Sequence, residues 1–155
     1  MRRLLRHIAT LGPCGWAPVA PATVGSAVVA AIGWFLPVPP LWVTLALLAA
    51  GTLVAVWVSG VAEAELGHDA HPIVADEAVG QTLALLWVPH HWIAFTLSFL
   101  LFRVLDVWKP LGAREVQRLP GGWGIVADDV LAGIYACGAF HGLAALARLE
   151  WITRP

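Results

Sequence analysis

The chain has 155 residues, of which 59% are hydrophobic and 12% charged, with a formal net charge of −1 and a mean hydropathy of +0.78. That length suits a single domain spanning residues 1–155. About a quarter of a water-soluble domain is charged, so this chain is expected in a lipid bilayer, and its charge balance gives no footing for a nucleic-acid partner.

Met1-Arg2-Arg3-Leu4-Leu5-Arg6 opens the sequence. No apolar run of signal-peptide length follows before Gly12, so the segment reads as a basic tail facing the cytoplasm. Cys14 and Cys137 show neither metal-binding nor redox spacing and are expected to be reduced. Residues 18–26, Pro-Val-Ala-Pro-Ala-Thr-Val-Gly-Ser, lead into the first apolar stretch, 24–36. Thr23 or Ser26 could cap that helix, or its amides could receive an anion. Pro37, Pro39 and Pro40 then mark a turn. The second stretch, 41–62, is long enough for a full crossing of about 20 residues.

A polar segment, 63–81, carries Asp76-Glu77-Ala78-Val79-Gly80-Gln81. Adjacent acids at a helix start have an ordinary explanation in the helix dipole. The third apolar stretch, 82–102, is interrupted at Pro89-His90-His91 and allows two topologies. A single crossing would put the two polar segments on opposite faces. A hairpin with its tip at 89–91, and arms extending to Glu77 and Val107, would put both at one end of the bundle. The hairpin is preferred, with residues 37–40 as the tip of an earlier one. It places Arg2, Arg3 and Arg6 with Arg103, Lys109, Arg114 and Arg118 on the cytoplasmic side. Arg148 and Arg154 then fall toward the outer side.

Within 102–110, Phe-Arg-Val-Leu-Asp-Val-Trp-Lys-Pro, the side chains of Arg103, Asp106 and Lys109 recur every third residue and share a helix face. Pro110 discourages the helix from continuing. Snorkelling cations at a helix end would be unremarkable. A carboxylate among Leu105, Val107 and Trp108 is not, and it calls for a partner. Residues 121–130, Gly-Gly-Trp-Gly-Ile-Val-Ala-Asp-Asp-Val, read as a glycine-rich turn delivering Asp128 and Asp129 to the start of the fourth apolar stretch, 130–149. Capping is again the ordinary explanation, but ionisable groups at membrane depth are functional suspects. The long runs rich in Ala and Leu make the class all-α, an integral membrane helical bundle with short helical hairpins. Among the histidines, His141 reads as a packed or hydrogen-bonded residue inside the last helix, His68 and His71 lack a second ligand pair at suitable spacing, and His90 and His91 sit at a predicted turn.

Five carboxylates thus fall in three short clusters, each beside an apolar helix. Such oxygen donors suit Mg²⁺ or Mn²⁺. Arg103 and Lys109 are candidates to hold phosphate oxygens. Metal, activated water and cationic clamps are what hydrolysis of a phosphate ester requires. The competing reading is a non-catalytic membrane scaffold or ion-binding protein whose acids only cap helices.

Read together, residues 18–26, Asp76 to Gly80, Phe102 to Pro110 and Gly121 to Asp129 resemble the four motifs of the phosphatidylglycerophosphatase A family, in order and spacing, over most of the chain. Two departures stand out: Ala22 replaces a glycine of the first motif, and Leu111-Gly112 replaces a Trp-Pro pair. The resemblance implies hydrolysis of phosphatidylglycerophosphate to phosphatidylglycerol and inorganic phosphate. It also implies Mg²⁺ dependence and multi-pass residence in the bacterial inner (cytoplasmic) membrane. On this reading the catalytic residues are Asp76, Glu77, Asp106, Lys109, Asp128 and Asp129. Asp76, Glu77, Asp106, Asp128 and Asp129 hold the metal, and Thr23, Ser26, Arg103 and Lys109 bind substrate. A metal-activated water is the simplest nucleophile, with an aspartyl-phosphate on Asp106 or another carboxylate as the alternative.

Overall fold

The computed structural model describes residues 1–37, 39–67, 70–110 and 112–147. His68, Leu111, Arg148 and Arg154 lie outside the described residues. Within them the fold is all-helical, as expected, with no strand. The helices are α1 (Arg2–Ala9), α2 (Pro21–Phe35), α3 (Leu41–Leu66), α4 (Ala75–Ala84), α5 (Trp92–Trp108), α6 (Ala113–Val116) and α7 (Gly122–Leu146), with a 3₁₀ turn at Cys14–Trp16. α3 and α7 are long and apolar enough to cross a membrane.

The third apolar stretch is broken where its sequence breaks. α4 ends at Ala84, a turn follows, and α5 starts at Trp92. At about 1.5 Å per residue the two arms are about 15 and 25 Å long. They form the expected hairpin, because Glu77 at the head of α4 pairs with Arg103 near the tail of α5. At the other end, Trp34 of α2 packs against His90 with ring centroids 5.8 Å apart, so the α2 terminus sits beside the hairpin tip. Ser98 ties the arms together by donating to the Ala84 carbonyl at 2.6 Å. His141 of α7 contacts the Leu86 carbonyl at 3.1 Å, the hydrogen-bonded role expected of it. Both cysteines are free.

Three local expectations are corrected. The basic N-terminus is no tail but helix α1. Leu5 and Ala9 are buried in one core with Ala55, Val58 and Ala62 of α3, and Arg6 lies 3.8 Å from Glu65. Neither Thr23 nor Ser26 caps α2. The helix starts at Pro21, whose fixed φ and missing N–H suit a first helical position, and Ser26 lies in its second turn. The glycine-rich segment 121–124 is not a turn leading to a helix start either. Only Gly121, with φ 58°, is a turn residue, and Gly122 to Gly124 are already in the first turn of α7, so Asp128 and Asp129 lie inside that helix.

The glycines explain the third correction. A Cβ on Gly122 would stand 1.9 Å from the Val56 carbonyl oxygen of α3, and one on Gly124 would stand 2.3 Å from the Leu119 oxygen. Backbone meets backbone here, and only glycine fits. The same holds between α4 and α7. A Cβ on Gly80 would lie 2.5 Å from the Phe102 ring and 2.7 Å from the Asp129 oxygen, and one on Gly133 would lie 2.4 Å from the Gly80 oxygen. The helices start at the same end of the bundle and cross with no side chain between them. Gly80→Ala is therefore expected to cost about 1–3 kcal/mol or more, since backbone has to move. Gly138→Ala, on the same α7 with open space around it, is expected to be neutral or to stabilise by about 1 kcal/mol through helix propensity. Denaturant midpoints of the two variants in detergent check this, and equal midpoints would contradict the close crossing.

Candidate metal and phosphate site

α4 delivers Asp76 and Glu77 in its first turn, α5 delivers Arg103 and Asp106 in its last turns, and α7 delivers Asp128 and Asp129 in its second turn. All five carboxylate residues are buried, between 3% and 8% exposed. Glu77, Asp106 and Asp129 each offer one carboxylate oxygen within 4.8 Å of the others. That grouping comes from three helices far apart in sequence, and it goes beyond helix capping.

Two cations face the acids. Arg103 Nη1 pairs with Glu77 Oε2 and lies 3.1 Å from Asp106 Oδ2. Lys109 Nζ lies 2.5 Å from Asp128 Oδ2. Lys109 is the residue that ends α5, in a left-handed conformation with φ 50° just before Pro110. The break expected at Pro110 is thus what turns the lysine back toward α7. Ser26 Oγ lies 3.0 Å from Glu77 Oε2 and accepts from Arg103 Nη1 at 3.3 Å, which joins α2 to the cluster. Thr23 lies one turn earlier on α2, half-buried.

The acids are not comfortable together. Burial pushes the Glu77 carboxyl up to about 7, Arg103 pulls against that rise, and the charge of Asp106 adds to it. Burial also holds Asp76 well above the usual carboxylate range, reinforced by the charges of Glu77 and Asp128. Asp76 Oδ1 and Asp129 Oδ2 are buried with no hydrogen-bond partner among the described residues. An ionised oxygen in that position is costly unless a proton or a cation joins it. The donor set consists of carboxylate oxygens alone, which matches the preference of a hard divalent ion.

A buried polar residue on the helix of Asp76 and Glu77 escaped the sequence reading. Gln81 is fully buried, and neither amide atom has a partner among the described residues. Its position four residues after Glu77, on the same helix face, was the available signal. On the opposite face of α4 lies an apolar cleft of about 500 Å³, bordered by Ala78, Val79 and Thr82, and by α2 and α3. The acids do not open into it.

The phosphatidylglycerophosphatase A family model matches residues 7–144. A Bacteroides thetaiotaomicron protein, provisionally named a phosphatidylinositol-3-phosphatase, is 40% identical over 131 residues, covering 79% of this chain and 82% of its own. An Escherichia coli protein named phosphatidylglycerophosphatase A is 33% identical over 141 residues, covering 87% of this chain and 81% of its own. A Haemophilus influenzae protein of the same name is 43% identical over 76 residues, 47% of each chain. No solved structure matches. The chain belongs to the phosphatidylglycerophosphatase A family.

Removing one partner of the buried Arg103–Glu77 pair leaves the other uncompensated, a loss of about 3–5 kcal/mol. Arg103→Ala in chelator is expected to lose stability on that scale, and adding Glu77→Gln to it should recover a large part. Unfolding midpoints of the two single variants and the double variant read the coupling. Simple additivity would mean that the pair is not formed.

Proposed function

We propose that this member of the phosphatidylglycerophosphatase A family removes the terminal phosphate of phosphatidylglycerophosphate, using Mg²⁺ held by the buried carboxylates. The observation that carries the reading is the convergence of Glu77, Asp106 and Asp129 beside Arg103 and Lys109. Oxygen ligands for a cation and two phosphate-seeking cations meet at one end of a helical bundle. The relatives' names support a lipid phosphate as substrate. A scaffold role gives no account of buried acids drawn from three helices.

Glu77, Asp106 and Asp129 would hold the ion, with Asp76 and Asp128 beside them. Bound there, Mg²⁺ supplies charge neutralisation and Lewis-acid activation. The rest is the work of this chain. Arg103 offers a planar fork to the phosphate oxygens and Lys109 a point charge. Ser26 reaches the site from α2 through Glu77 and Arg103, and its hydroxyl, with that of Thr23 one turn earlier, would donate to a phosphate oxygen. Asp128 keeps Lys109 aimed into the site until substrate arrives. Asp129 would hold the ion through one oxygen, and its Oδ2, buried without a hydrogen-bond partner among the described residues, would be free to accept the proton of an attacking water.

The site meets a lipid head group where the bundle meets the bilayer surface. α3 supports residence in the membrane. Its most apolar window is only 11% buried, and Leu45, Leu47, Leu53 and Trp57 face outward, whereas the core helix of a soluble protein would cover them. α3 and α7 cross the bilayer, and the α4–α5 hairpin packs within the bundle. The Arg2, Arg3 and Arg6 cluster on α1 points to the cytoplasmic side for the site.

Purified protein in mixed micelles is expected to release inorganic phosphate from phosphatidylglycerophosphate, to stop in excess EDTA and to recover with Mg²⁺. Asp106→Asn and Lys109→Ala should each lose at least about a hundredfold in kcat/KM, about 2.7 kcal/mol, with the helical spectrum unchanged. Full turnover in EDTA would remove the metal. Turnover of phosphatidylinositol 3-phosphate in preference would reassign the substrate. Retention in the membrane pellet after alkaline carbonate washing checks residence, and release into the wash would contradict it.

A further inference from the structure

The geometry points to two divalent cations in the acidic cluster rather than one, the first held by Glu77, Asp106 and Asp129 and the second by Asp76 and Asp128. This rests on the metal-dependent phosphatase reading and sets its stoichiometry.

The division follows from helix geometry. Consecutive residues on an α-helix point about 100° apart. Asp76 and Glu77 therefore fan out from α4, as Asp128 and Asp129 do from α7. The three-oxygen group within 4.8 Å takes one acid from each pair, Glu77 and Asp129, and adds Asp106. That leaves Asp76 on α4 and Asp128 on α7. The two helices start at the same end and touch at Gly80 and Gly133, so the remaining acids are also brought together: the charge of Asp128 is felt at Asp76, and that of Asp76 at Asp129, which puts the second group directly beside the first.

The second observation is Asp76 itself. It is 8% exposed, and its Oδ1 has no partner among the described residues. Arg103 serves Glu77 and Asp106, and Lys109 serves Asp128, while Asp76 draws on backbone amides. A carboxylate buried this deeply is retained at a cost unless something positive meets it.

Charge counting leads the same way. Five carboxylates face Arg103 and Lys109, a formal excess of three negative charges when all are ionised. A phosphate monoester adds about two more at neutral pH. One divalent ion leaves about three uncompensated negative charges around the bound substrate, in a buried site where they repel strongly. Two divalent ions leave about one. Held by these acids, two ions would supply charge stabilisation at both ends of a phosphoryl displacement. A cation on Asp128 would free the flexible Lys109 ammonium for the phosphate, so its pairing with Asp128 and its proposed contact with substrate would be two positions of one side chain.

The test counts Mn²⁺ on full-length protein, purified in detergent and stripped with chelator. Calorimetric titration is expected to give two ions per chain, and electron paramagnetic resonance a spin-coupled pair. Asp76→Asn should lower the count to one and abolish the coupling, and Asp106→Asn should do the same from the other side. Circular dichroism reports whether the variants fold. One ion per wild-type chain would overturn this inference and leave a single-ion phosphatase intact. Two uncoupled ions would overturn the shared site. No binding at all would overturn this inference and the metal-dependent reading with it.

Discussion

The contact between Gly80 of α4 and Gly133 of α7 governs the rest of the structure. With no Cβ at either position, the Gly80 carbonyl sits where an α7 side chain would otherwise be. The two helices approach to backbone contact and start at the same end. Asp76 and Glu77 then face Asp128 and Asp129 across the interface. Phe102 of α5 closes over Gly80, which sets the register of the hairpin and brings Arg103 and Asp106 to the same level. A larger side chain at the crossing would part the acids without touching any of them.

Holding five acids in one buried volume works against folding. Desolvation and mutual repulsion oppose ionisation at Asp76 and Glu77, and the Arg103 guanidinium and the Lys109 ammonium offset part of that cost. Ser26 adds a hydroxyl from α2. A cluster built only for stability would have been replaced by apolar side chains of similar size, a change that is often neutral or stabilising. The acids make sense as ligands, and the cationic partners as groups that can turn from carboxylate to phosphate. The site's place at the end of the bundle suits a substrate whose phosphate is polar and whose tails are not.

Much of this was legible in the sequence. The long apolar runs gave the helices, Pro89-His90-His91 marked the hairpin tip, and the four motifs named the acids that the structure gathers. Four things were not legible, each for a physical reason. Glycine near a helix start reads as a turn, and only the approach of the Val56 and Leu119 carbonyls reveals why Gly122 and Gly124 are helical. Ser26 looked like a cap because local sequence cannot show that Glu77, 51 residues away, is its partner. α1 looked like a tail because Leu5 and Ala9 become core only when α3 is beside them. Gln81 went unnoticed because a glutamine in a helix is ordinary until its burial is known.

The central claim is that the α4–α7 crossing builds a cation site from acids that are distant in sequence. Anomalous scattering from crystals of the protein grown with Mn²⁺ tests it most directly. The account predicts a peak enclosed by the carboxylates of Glu77, Asp106 and Asp129, at ligand distances of about 2.0–2.6 Å for a hard cation on oxygen. A well-ordered cluster with no peak there, or a peak held by other residues, would contradict it.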